Sequence, residues 1–129
     1  MFKKVLLSAL FAVSTLATAQ VQLDLDLTII SQDIERHATG TIIIDENKTT
    51  SVVFDNLDTL IISFSAQIDG QIVKLQTQFF KAIENSDDVV VITEPLPVEV
   101  SYNESATITV NEADNNGSLI LVVTPSIVE

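Results

Sequence analysis

The sequence predicts an all-β protein: a sandwich of immunoglobulin-like architecture, built from eight or nine short strands. Three observations predict it. Apolar and polar residues alternate with period two along most of the chain, β-branched residues fill the alternating stretches, and clusters of Asn, Asp, Gly and Ser interrupt them every 8–12 residues or so.

The first strand is Gln22–Ile29, where Leu23, Leu25, Leu27 and Ile29 fall on one face and Asp24 and Asp26 on the other. A helix would scatter those leucines around its circumference, whereas a half-buried strand gathers them. Gln32 to Ala38 lacks this alternation and is the one stretch capable of a helical turn, with His37 on a polar inter-strand segment. Thr41–Asp45 and Thr50–Phe54 follow as strands. Leu60–Ile68 is the clearest of all, with Leu60, Ile62, Phe64, Ala66 and Ile68 facing inward. Asp69-Gly70 then joins it to Ile72–Phe80, the strongest hairpin signal in the chain. Val89–Thr93, Val98–Tyr102 and Ala106–Val110 come next, Thr107 and Thr109 facing outward beside an inward Ile108. The last, Leu119–Thr124, is apolar on both faces over Leu119–Val123, as expected of a central strand covered on each side.

The chain also looks internally repeated, over 20–68 and 71–128. A shift of 56 residues lays Ile42, Ile44, Asn47, Thr49, Val52 and Phe54 over Val98, Val100, Asn103, Ser105, Ile108 and Val110. Three inserted residues then bring Leu60–Ile62 over Leu119–Leu121. Upstream, an offset of 50 sets Leu25, Ile29 and Ile30 over Leu75, Phe79 and Phe80.

Residues 1–19 read as a secretory signal peptide: Lys3 and Lys4, an apolar stretch from Val5 to Leu16, then Ala17-Thr18-Ala19 before the cut. That stretch is shorter than the roughly 20 residues a membrane helix needs. The expectation is an exported protein, periplasmic or extracellular, whose residues 20–129 form a single domain. Without Lys3 and Lys4, four basic residues face eighteen acidic ones, a net charge of −14 against −12 for the whole chain. Such a surface repels nucleic acid and anionic lipid, which bind through Lys and Arg. With no cysteine, disulfides, thiol chemistry and thiolate metal sites are excluded, and stability rests on an apolar core.

Chemistry-bearing residues are sparse. The single histidine, His37, has no nucleophile-elbow pattern near it and is read as a solvated surface residue. One histidine and no cysteine also make a poor zinc set. Carboxylates cluster at Asp45-Glu46-Asn47, Asp55–Asp58, Asp87-Asp88 and Glu112–Asn116, and calcium needs six to eight oxygens converging on one point. Asp55, Asp58, Glu112 and Asp114 are the candidate calcium ligands. No run matches the EF-hand loop, and turn chemistry accounts for the same residues. A glycosidase would place sugar-stacking aromatics around its paired carboxylates, and the chain has no Trp and one Tyr. Asn47-Lys-Thr49, Asn103-Glu-Ser105 and Asn116-Gly-Ser118 fit the N-glycosylation triplet but read first as turn residues.

One stretch, residues 94–127, resembles the bacterial secretin family. It runs from Glu94-Pro-Leu-Pro97 through Ala106-Thr-Ile-Thr-Val110 to Val123-Thr-Pro-Ser-Ile127: a proline-led strand, an A-x-I-x-V strand and a strand closing on V-T-P-x-I. The resemblance implies an exported β-domain associated with an envelope assembly, and pore formation is not carried over. The function expected is therefore a non-enzymatic binding or structural module of the cell envelope that takes a protein partner and needs no cofactor. Two alternatives are a calcium-binding or hydrolytic domain using the acidic loops, and a subunit of a surface fibre.

Overall fold

The leucines of the first strand are buried together, and the strands Leu60–Asp69, Ile72–Ala82 and Gly117–Ile127 repeat that two-faced pattern most clearly. In the computed structural model, which describes residues 19–54, 60–83, 85–112 and 117–128, nine strands form. They are β1 (Gln20–Ser31), β2 (Ile34–Asp45), β3 (Thr49–Phe54), β4 (Leu60–Asp69), β5 (Ile72–Ala82), β6 (Val89–Val91), β7 (Leu96–Ser101), β8 (Ala106–Glu112) and β9 (Gly117–Ile127). One antiparallel sheet has the order β2-β1-β9-β8. The other runs β3-β4-β5-β6, with β7 also paired to β5. The inward faces meet in one core, in which Leu23, Leu27, Ile62, Phe64, Phe79 and Leu121 are fully enclosed. No helix among the described residues is long and apolar enough to cross a membrane. The likeness to immunoglobulin domains is one of architecture, two antiparallel sheets face to face.

Gln32 to Ala38 is not a helical turn. Gln32 and Asp33, with φ of 51° and 68°, form a two-residue turn, and β2 resumes at Ile34 against β1. Positive φ at both positions is the backbone that matches strand twist in a tight hairpin. Gln-Asp is not a sequence usually found there, so the pattern hid the turn. His37 consequently lies within β2, opposite Thr28, and not on a connecting segment. The Asp69-Gly70 hairpin forms, with Gly70 and Gln71 as its two loop residues and Gly70 at φ 63°. β9 does lie between β1 and β8, but only its inner face is covered: Ile120 and Val122 are half-buried on the outer one.

The register repeats between the two halves. Shift β1 by 52 residues, the second half of β2 and all of β3 by 56, and β4 by 59. The pair Leu23↔Ile42 then becomes Leu75↔Val98, and Thr50↔Phe64 becomes Ala106↔Val123; both are observed. The offset between β1 and β5 is thus 52, not 50. A two-residue slip keeps every side chain on its own face, which is why the pattern alone could not detect it. The turns correspond as well. The Asn47 N–H donates to the Ala66 carbonyl at 2.8 Å, and the Asn103 N–H to the Pro125 carbonyl at 2.7 Å, both asparagines having φ near 65°. Each half gives one hairpin to each sheet, and the chain crosses between sheets at these two turns.

Candidate functional site

Because each crossing turn is short, both lie at one end of the sandwich, together with Gly70. Glu46 fastens that end: from the turn that follows β2, its carboxylate accepts the Ile68 N–H at 2.9 Å, tying one sheet to β4 of the other. Asp45 accepts from Gln20 Nε2 at 2.9 Å and stands 3.7 Å from Lys48 Nζ. The acidic run Asp45-Glu46-Asn47 is therefore structural. Asn47 and Asn103 likewise act as turn residues in the left-handed conformation, which asparagine tolerates.

Of the calcium candidates, Asp55, Asp58 and Asp114 lie outside the described residues. Glu112 closes β8 by its main chain, opposite Gly117, and its side chain is likewise outside. Asp87 and Asp88 are described, exposed in the turn before β6. Among the described residues, no group of three or more His, Asp or Glu side chains is arranged to hold a metal ion.

The two outer faces differ in chemistry. On the sheet containing β1, polar pairs run across the strands: Thr41 Oγ1 donates to Asp24 at 3.0 Å, His37 Nε2 meets Asp26 at 2.5 Å, and Ser105 and Thr124 share a 2.6 Å bond. All are exposed, so each adds little to stability. Asp24, Asp26, Thr39, Thr41 and Thr124 also line a shallow open depression around Gly40.

The outer face of the other sheet carries polar rows, such as Ser51–Ser63, whose hydroxyls lie 2.8 Å apart, with Gln78 beside them. Next to it runs a row of another kind. Val53 pairs with Ile61, Ile61 with Phe80, and Phe80 with Val91, so four apolar side chains cross the sheet in line. Val53 and Val91 are more than half exposed, while Ile61 and Phe80 are partly buried between them. Alternation over Leu60–Ile68 and Ile72–Phe80 put Ile61 and Phe80 on the outer face, but which outward residues line up depends on register. Sequence reasoning missed this row for that reason.

Comparison with protein-family models and with curated proteins gives no match.

Proposed function

We propose that the chain is an exported, non-enzymatic β-sandwich module that binds a protein partner or has a structural role in the cell envelope, periplasmic or extracellular. The observation that carries this reading is the open sheet edge. Among the described residues, β2, β8, β3, β6 and β7 each carry a ladder of main-chain hydrogen bonds on one side only. A partner strand can complete such a ladder by main-chain pairing, with alternate side chains supplying selectivity. In β8, Ile108 is buried while Thr107 and Thr109 face out, so an added strand would meet a polar outer surface there. The leader-like N-terminus and the secretin-like rhythm of residues 94–127 support placement in the envelope.

Amide hydrogen exchange on the complex with an isolated partner tests it. Slowed exchange along one or more edge strands is expected. Unchanged exchange along all five would sink edge pairing.

A further inference from the structure

We propose that the row Val53–Ile61–Phe80–Val91, with the open edge of β6, is the docking site for an extended partner segment that alternates apolar and basic residues. The proposal rests on the binding-module reading and names the face and the chemistry of the partner.

The fold supplies its own control. Moved by the offsets of the internal repeat, with 54 for β6, the row falls on Thr109, Ile120, Thr28 and His37. That row has the same two exposed ends and two half-buried centres, yet three of its four residues are polar. An outer-face row at this place in the architecture therefore needs no apolar side chains. Val53 and Val91 leave more than half of their apolar surface exposed, the mark of a contact site on an acidic protein.

The edge gives the partner's shape. β6 bonds to β5 through Val89, Val90 and Val91, and all three are exposed. A strand added beyond β6 would place every second side chain in line with Val91 and Phe80. Charge selects the remaining positions. Asp87 and Asp88 stand exposed directly before β6; Lys48 and Lys74 lie at the opposite end, within 3.7 Å of Asp45 and Asp69; Lys81 occupies the other face of β5 from Phe80. Lysine or arginine in the partner would meet complementary charge. A second copy fits poorly. It brings another net charge of −14 once Lys3 and Lys4 are removed, and four side chains fall far short of the roughly 800 Å² per partner of a stable dimer.

The test uses the mature chain, isotope-labelled, titrated by NMR with the peptide Lys-Val-Lys-Val-Lys-Val-Lys and with its glutamate counterpart. Shifts are expected at Val53, Ile61, Phe80 and Val89–Val91 with the basic peptide, and binding at least ten-fold weaker with the acidic one. Val53→Thr, Phe80→Thr and Val91→His together install the residues of the twin row and should abolish the shifts; Val53→Thr with Val91→His, which leaves the half-buried Phe80, should weaken binding at least five-fold with the fold intact by CD. Shifts confined to β8 or β2 would overturn the row and leave the binding module standing. No shift with either peptide would overturn the proposal, while a native partner that protected an edge in hydrogen exchange would still uphold the module. Self-association, or binding to phosphatidylcholine vesicles, that the triple substitution removes would overturn the partner assigned.

Discussion

Thr77 is the twin of Leu25, a fully buried inward position at which the halves differ in polarity. Its side chain is fully buried, and its Oγ1 has no hydrogen-bond partner. A buried hydroxyl left unbonded costs about 1–3 kcal/mol. Thr77→Val should therefore stabilise the domain by about 1 kcal/mol, read as a higher urea midpoint at unchanged m-value; a lower midpoint would show that the hydroxyl is satisfied. The turn at Gln32 and Asp33 has the opposite defect, two non-glycine residues at positive φ. Left-handed backbone costs such residues roughly 1–2 kcal/mol each, and Asn-Gly suits it best. Gln32→Asn with Asp33→Gly should raise stability by about 1 kcal/mol in the same assay. Neither residue was legible beforehand. Thr77 fits a strand pattern as well as Leu does, and Gln-Asp carries no turn signal.

At the scale of the element, Glu46 is the tie most open to test. Glu46→Ala removes the acceptor for the Ile68 N–H and should cost about 1.5–3 kcal/mol, the range for a hydrogen bond to a charged group, lowered toward its floor by partial exposure. Glu46→Gln keeps an acceptor oxygen and should cost less than half as much in thermal melts. The edge of the second sheet shows how an element is broken. β6 and β7 together correspond to β2 but hold two extra residues between them, where the Phe79 carbonyl accepts N–H bonds from both Ile92, at 2.9 Å, and Thr93, at 3.3 Å. Two donors on one carbonyl mark a bulge, and Pro95, without an N–H, prevents the ladder from resuming at once. The sequence already separates a strand at Val89–Thr93 from one at Val98–Tyr102. The size of the bulge was not visible there.

For the whole molecule, the two halves are joined at the Gly70 turn and held together by β4 against β5 and β1 against β9. Cleavage at that turn should leave a non-covalent pair that co-elutes as one species and refolds on mixing; separate elution of two folded halves would contradict the shared core. Calcium at millimolar concentration should leave the melting temperature within about a degree, since ion binding to the native state alone would raise it by mass action. A shift of several degrees would return the acidic loops to consideration.

The alternation of side chains, a local property with period two, determined from sequence alone that the chain is all-β, which residues face the core, and that Asn47 and Asn103 head equivalent turns. Pairing across the chain decided the rest. β1 meets β9 over nearly the full length of the domain, and a slip of two residues leaves every face unchanged, so no local pattern can select the register. Only the registers of β3 on β4, β4 on β5 and β5 on β6 line up Val53, Ile61, Phe80 and Val91, and with them the surface on which the proposed partner would rest.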